Sequence, residues 1–245
     1  MAALYYDLHI HSCLSPCGSE DMTPYNIAAM AALKGLDVIA VTDHNSCKNC
    51  PAVLAAAKEY GVLALPGLEL TTSEEVHAVC LFETLDAAMA FDDYVHERLL
   101  PIKNKEEIFG RQEIYDLEDN VSGTEELLLI SATSISFEGL WELVDSFGGV
   151  MFPAHVEKDS NSLIANLGFV PEDSRFMTAE LHDLKKLHRL LPGNPYLRQC
   201  RIIRNSDAHY LEDIREPELT IEVNERSAAG VLAALKEGAG KKKES

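Results

Sequence analysis

Six histidines and two carboxylates, His9, His11, His44, Glu69, His77, His155, Asp207 and His209, are the residues of this chain best suited to chemistry. Neutral imidazole nitrogens and carboxylate oxygens are the usual ligands of zinc, manganese and iron. His9 and His11 stand two residues apart, as do Asp207 and His209. On an extended strand that spacing puts both side chains on one face, so each pair is a natural chelator. A single His-x-His or Asp-x-His is usually incidental. The array is more specific, because six of the nine histidines sit at expected strand ends or in the adjoining loops, together with both carboxylates. His96, His182 and His188 fall in helical or turn-like stretches and read as surface or hydrogen-bonded polar residues.

The elements that position these residues alternate. Tyr5 to Ile10 reads as a strand running into the first histidine pair. Thr23 as cap, Pro24 in the first turn, and Ile27, Met30, Ala31 and Leu33 on one face predict a helix that Gly35 ends. Val38 to Val41 is an apolar strand leading to Thr42-Asp43-His44. Ala52 to Tyr60 predicts a helix, and Val62 to Leu65 a strand leading to Gly67-Leu68-Glu69. Later come a helix over Phe137 to Phe147, a strand over Gly149 to Phe152 ending near His155, and a helix over Ser160 to Leu167. Thr178 to Leu181 and Ile202-Ile203 read as strands, the second entering Ser206-Asp207-Ala208-His209; Leu219 to Val223 is a last strand and Ala228 to Lys236 a closing helix. This alternation predicts a parallel sheet with helical crossovers. The ligand-type residues then lie at the C-terminal strand ends, where α/β barrels build their active sites.

One domain over residues 1–240 is expected, with an insertion or rim subregion at about 85–135 and a flexible basic tail at 241–245. Within the insertion, Leu85 to Leu100 reads as a helix. Phe109 to Asp116 and Glu126 to Ile130 read as strands around a turn at Asp119-Asn120 and Gly123. The 47% apolar fraction is that of a soluble globular protein, and no apolar run approaches the roughly 20 residues of a membrane span. Met1 to Tyr6 lacks the features of an export signal, so a cytoplasmic protein with no membrane partner is expected. The net charge of −19 repels a nucleic-acid backbone, which is bound mainly by Lys and Arg, so no duplex nucleic acid is expected. A small anionic substrate needs local positive charge, and metal ions would supply it.

In order along the chain, Asp7-Leu8-His9-Ile10-His11, Thr42-Asp43-His44, Gly67-Leu68-Glu69 with His77, Pro153-Ala154-His155 and Ser206-Asp207-Ala208-His209 resemble the motifs of the PHP (polymerase and histidinol phosphatase) family. The resemblance implies a distorted (β/α)7, TIM-like barrel, a metal-dependent phosphoesterase, and two or three divalent ions (zinc, manganese or iron). It further implies that His9, His11, Glu69 and Asp207 hold one ion. Glu69 would bridge to a second, held also by His77 and His155, while His44 and His209 hold a third. The family commonly adds an Asp or His to that third site; here Cys17 falls at about the right position and Asp21 competes with it. A thiolate favours zinc or iron over manganese or magnesium.

Paired ions generate a hydroxide near neutral pH and clamp the attacking and leaving oxygens of a phosphoryl group. Glu69, Asp207 and His209 are the expected catalytic residues. Asp43 reads as a residue that orients a ligand rather than as a ligand itself. Lys158 and Arg204 are candidate phosphate contacts, with an ordinary surface role open for each. The leading expectation is hydrolysis of a small phosphomonoester. The rivals are a single-strand nuclease or nucleotide phosphodiesterase, C–N hydrolysis of the amidohydrolase type, and a non-catalytic metal-binding regulatory module. Cys13, Cys17, Cys47 and Cys50 follow the first two histidine motifs, so a separate four-cysteine zinc, iron–sulfur or redox site is the sharper alternative to small loop residues. Cys80 and Cys200 sit in apolar contexts and read as core.

Overall fold

Strand β1 (Ala2–Ile10) opens the chain and ends at the first histidine pair. The structure is a computed structural model that describes residues 1–239, so the tail expected at 241–245 lies outside the described residues. Helix α1 (Pro24–Lys34) starts where the Thr23 hydroxyl accepts from the Asn26 amide, and Gly35 closes it at φ 81°. That left-handed cap costs glycine no Cβ clash. Strand β2 (Val38–Val41), helix α2 (Cys50–Glu59) and strand β3 (Leu63–Thr71) follow. β1, β2 and β3 are parallel neighbours, and β2 is buried throughout, as a strand covered on both faces must be.

The parallel rhythm then breaks, which corrects the expected alternation. Strand β4 (His77–Leu81), not read from the sequence, returns antiparallel to β3, with Thr71 opposite His77 and Glu69 opposite Val79. Only Thr72 to Val76 separate the two strands. A parallel crossover needs a dozen or more residues, so the chain can only turn back. Next come helix α3 (Leu85–His96), the short helix α4 (Glu106–Phe109), and a hairpin of β5 (Glu113–Tyr115) and β6 (Val121–Thr124). Helix α5 (Leu140–Ser146), strand β7 (Val150–Pro153), helix α6 (Leu163–Leu167), strand β8 (Thr178–Glu180), helix α7 (Leu187–Leu190), strand β9 (Arg201–Ile203), strand β10 (Thr220–Val223) and helix α8 (Ala228–Lys236) complete the order.

The main sheet has the order β10-β1-β2-β3-β4-β7, and β8 with β9 forms a separate parallel pair. Backbone bonds carry the curl onward from there. The Val156 amide donates to the Glu180 carbonyl (3.0 Å) and the Leu181 amide to the Ile203 carbonyl (3.0 Å). The Asp207 amide then donates to the His9 carbonyl and the His11 amide to the Ala208 carbonyl, each at 2.9 Å. The result is a mixed α/β fold whose curled, half-barrel sheet brings the segment after β9 against the end of β1. No helix among the described residues is long and apolar enough to cross a membrane.

Two local expectations are corrected. Glu126 to Ile130 does not form a strand: its backbone pairs with Ile102 to Asn104 only through the single antiparallel bridge of Lys103 and Leu127, and the Gln112 side chain takes up further backbone groups. Its amide donates to the carbonyls of Glu125 and Leu127 and accepts from the Leu129 amide. Cys47 and Cys50 join the apolar core with Leu68, Cys80, Phe82 and Phe91, so the four cysteines do not assemble into one site. The Cys50 thiol spends its proton on the Gly67 carbonyl at 3.4 Å.

Gly67 marks how closely β3 and β4 approach just before Glu69. A Cβ there would lie 2.4 Å from the Cys80 carbonyl oxygen and 2.7 Å from Leu81 Cδ2. Gly67→Ala must push the strands apart, and overpacking of this kind costs about 1–3 kcal/mol. A lowered urea midpoint with reduced metal retention is the expected result, and an unchanged midpoint would show that the strand pair has slack.

Candidate metal centre

The period of two along β1 turns His9 and His11 inward together, and neither has measurable exposure. The His9 and Asp207 backbones are bonded to each other, so Asp207 and His209 are laid beside that pair. Glu69 lies in β3, His44 forms a parallel bridge to it, and His77 opens β4. His155 follows β7 with φ 29°, and Asp207 has φ 55°, a left-handed backbone that non-glycine residues rarely adopt.

Five of these imidazoles converge on one buried carboxylate. Glu69 Oε1 lies 3.2 Å from His9 Nε2, 3.1 Å from His77 Nδ1 and 3.3 Å from His155 Nε2. Glu69 Oε2 lies 3.0 Å from His44 Nδ1 and 3.5 Å from His11 Nε2. Asp207 Oδ1 is 3.1 Å from His11 Nε2 and 3.4 Å from His9 Nε2. The two Nε2 atoms themselves face each other at 3.2 Å. Most of these approaches lack hydrogen-bond geometry: among the described residues, His44 Nδ1 and Glu69 Oε1 are buried without a partner. Leaving such an atom unpaired costs about 1–3 kcal/mol, and a cation between the donors satisfies them together.

A second set of contacts fixes which nitrogen faces inward. His9 Nδ1 donates to Glu180, at 3.1 Å from Oε2, leaving Nε2 for the centre. Glu180 is held in turn by the Asn205 amide (2.7 Å) and the His155 backbone N–H (3.1 Å). His11 Nδ1 donates to Ser15 Oγ at 3.0 Å; that hydroxyl donates to Asp43 Oδ1 at 2.6 Å and accepts from the His44 amide at 3.1 Å. His209 Nδ1 is occupied by the Asp207 carbonyl at 2.8 Å. A carboxylate or carbonyl behind a histidine sets its tautomer and raises its basicity as a ligand.

The electrostatics favour cations. Burial pushes Glu69 up, but His77, His9 and other facing imidazoles hold it well below the ordinary carboxylate range. Asp207 is likewise held low against its burial by His9 and by the His11 hydrogen bond. Burial and the nearby His44 push His11 down to about 3, so it presents a neutral, ligand-ready nitrogen. Burial also works against a charged His9, yet Glu180, Glu69 and Asp207 carry it well above the ordinary value. A field that stabilises an imidazolium also stabilises a divalent ion. The donors fall into three groups that fit metal ions: His9, His11 and Glu69; His44, Glu69 and His77; and His11, Cys17, His44 and His209.

A cleft of about 200 Å³ opens over the centre, lined by Cys17, His44, Glu69, His77, Ile130, His155, Lys158, Asp207 and His209 among others. Lys158 Nζ sits 2.5 Å from Asp207 Oδ2. Arg204 is not brought there, and its guanidinium reaches Glu218 at 3.9 Å. The next residue, Asn205, aims its side chain at Glu180 and the Leu8 amide, so its extended neighbour must face the other way. Asp21 is exposed and outside the ligand groups. Glu180 was missed from the sequence, although a charged residue at the end of a short strand read as buried is a readable anomaly.

The PHP domain profile matches residues 7–165. An uncharacterized protein of Methanocaldococcus jannaschii is 30% identical over 100 residues, covering 37% of this chain and 58% of its own. The lesion-specific endonuclease EndoQ of Pyrococcus furiosus superposes with a TM-score of 0.68 at 20% identity, over 98% of this chain and 57% of that one. An endonuclease Q bound to a 27-mer duplex with an abasic lesion gives 0.63 at 20% identity, over 98% and 58%. A two-domain protein of Bacteroides vulgatus, described as containing a predicted PHP-like metal-dependent phosphoesterase, gives 0.57 at 18% identity, over 96% and 63%. The chain thus spans between half and two thirds of the length of each of these proteins, and the structural likenesses establish the fold alone.

Because Glu180 fixes His9, Glu180→Ala should weaken metal binding by about 10–100-fold, the range for partners behind a metal-ligating histidine. Chelator competition measures this, with circular dichroism as the control. Unchanged affinity would mean that the β8 carboxylate is only a packing group.

Proposed function

Since this chain belongs to the PHP domain family, we propose that it is a metal-dependent hydrolase of phosphoric esters whose preferred substrate is a small phosphomonoester. The observation that carries the reading is the ring of five imidazoles around Glu69. Ions bound there would polarise a phosphoryl oxygen and make water nucleophilic near neutral pH.

The chain's own residues do the rest. His9, His11, Glu69 and Asp207 would serve one ion; His77 and His155 share Glu69 toward a second; His44, His209 and Cys17 serve a third. Asp43, through Ser15, holds His11 in its ligating tautomer. Lys158 is the one lysine or arginine lining the cleft among the described residues, and it would donate to a phosphate oxygen. Burial works against its charge, but Asp207 raises its pKa and keeps it protonated. Ile130 gives the cleft an apolar edge. The Asn45 amide pins that edge through the carbonyls of Leu129 (2.7 Å) and Ser131 (2.9 Å).

Two features favour a small ester over a polynucleotide: the net charge of −19 and a cleft of about 200 Å³ with a single cation. A nuclease is the second reading, favoured by the likeness to EndoQ across 98% of this chain. The duplex-bound endonuclease Q stands against the expectation that duplex nucleic acid is no partner.

The test is steady-state hydrolysis of an aryl phosphate, a bis-aryl phosphate and a single-stranded oligonucleotide by one preparation. Turnover of the monoester should dominate. Lys158→Ala should lower its kcat/KM by about 10–100-fold, the worth of one charge-assisted hydrogen bond, with metal content unchanged. Preferred oligonucleotide cleavage, with binding that weakens steeply with salt, would replace the monoester reading with the nuclease one.

A further inference from the structure

A second cavity lies between α5, α6 and the loop that enters β8. It encloses about 700 Å³, more than three times the cleft over Glu69, and shares no lining residue with that cleft. Local chemistry builds it. Gly139 turns the chain at φ 78° into α5, whose first turn carries Trp141 and Glu142. Gly168 ends α6 at φ 85°, and the Val170 amide then donates to the Asn194 side chain at 2.8 Å. Val170 is thereby buried, while its neighbour Phe169 stays 55% exposed at the cavity's edge.

The lining falls into two chemical zones. Phe137, Met151 and Phe176 are buried and form the floor, where the two phenyl rings meet edge to face with centroids 6.3 Å apart. Trp141 stands half-buried beside them. The mouth is acidic, because Glu138, Glu142, Glu172 and Asp173 are all exposed there. Arg175, the one lysine or arginine of the lining, is paired with Glu142 at 3.0 Å. Among the described residues, Glu138, Glu172 and Asp173 have no ion-pair partner. Glu74 also reaches the cavity, but the Ser136 hydroxyl and the Phe137 amide occupy its two oxygens. Unmatched negative charge therefore collects over an aromatic floor.

Ring faces and carboxylates both attract cations, and a buried phenyl floor takes up apolar groups. The volume lies within the roughly 300–1,000 Å³ of pockets that enclose small molecules. We infer that this cavity binds a small organic cation with an apolar or aromatic body. The body packs against Phe137, Phe176 and Trp141, and the ammonium group faces Glu138 and Asp173 at the mouth. The site is separate from the metal centre and stands or falls independently of the phosphoester reading.

Trp141 is the only tryptophan of the chain, so its fluorescence reports on this cavity directly. The full chain is titrated at near-physiological salt with three probes of one shape: 3-phenylpropylammonium, 3-phenylpropanol and 3-phenylpropanoate. Spermidine supplies charge without a ring, and the peptide acetyl-Lys-Leu-Phe-Leu-Lys-amide presents the same chemistry on a chain. Calorimetry gives the stoichiometry. One equivalent of the ammonium should bind saturably, about tenfold more tightly than the alcohol, and the carboxylate should not bind. Glu138→Gln combined with Asp173→Asn, both at exposed positions, should abolish that preference while the alcohol still binds. Equal binding of ammonium and alcohol, or spermidine binding as tightly as the aryl ammonium, would overturn the proposal. So would a Trp141 signal that responds to no probe. Tighter binding of the peptide than of every small probe would replace the small molecule with a segment of a partner protein.

Discussion

An ionised carboxylate buried among imidazoles is expensive to assemble, and much of this molecule follows from meeting that cost at Glu69. Isolated burial of such a charge is unfavourable by far more than one contact repays. Here Glu69 meets five imidazoles drawn from the end of β1, the loop after β2, the start of β4 and the loop after β7. Side chains from four strand ends reach one point only if the sheet curls. The antiparallel turn from β3 to β4 belongs to the same requirement. With Thr71 opposite His77, the histidine becomes a diagonal neighbour of Glu69 on one face of the pair.

Backbone strain gathers in the same place. His155 and Asp207 adopt positive φ, as do Asn45 and Asn161 nearby, each at a cost of order 1–3 kcal/mol. Hydrogen bonds hold the two ligands there: the His155 amide is fixed by Glu180 and the Asp207 amide by the His9 carbonyl. The surface is acidic overall, yet the cleft is lined by buried Glu69, half-buried Asp207 and one lysine, with Glu180 buried behind His9, a field that attracts divalent cations before it accepts an anionic substrate.

Residues whose positions follow from local chemistry were legible in the sequence. The Thr23 cap, the Gly35 stop and the strand-end histidines all needed only short-range periodicity and cap rules. What failed were features decided by distant partners. His77 to Leu81 gave no sign of pairing backward until the length of the turn was considered beside its register. The Gln112 side chain takes up backbone groups of Glu125, Leu127 and Leu129, and such a contact leaves no periodic trace. Arg204 and Asn205 are adjacent in sequence, and only the bonds of Asn205 to β1 and β8 decide which of them faces the site. Cys47 and Cys50 were drawn into the core by packing against Leu68 and Phe82, whereas Cys17 was kept near the histidines by a turn that Gly18 makes possible.

Metal content measured on purified protein and on Glu69→Ala, by elemental analysis after dialysis with Zn2+, Mn2+ and Fe2+, tests the central role of Glu69 most directly. The expected result is about two or three equivalents bound to the native chain, as multinuclear phosphoryl-transfer centres hold. The variant should retain only what the His11, Cys17, His44 and His209 group can hold, with its circular dichroism unchanged. Equal metal content in both proteins, or less than one equivalent in the native chain under these conditions, would contradict a centre organised around that carboxylate.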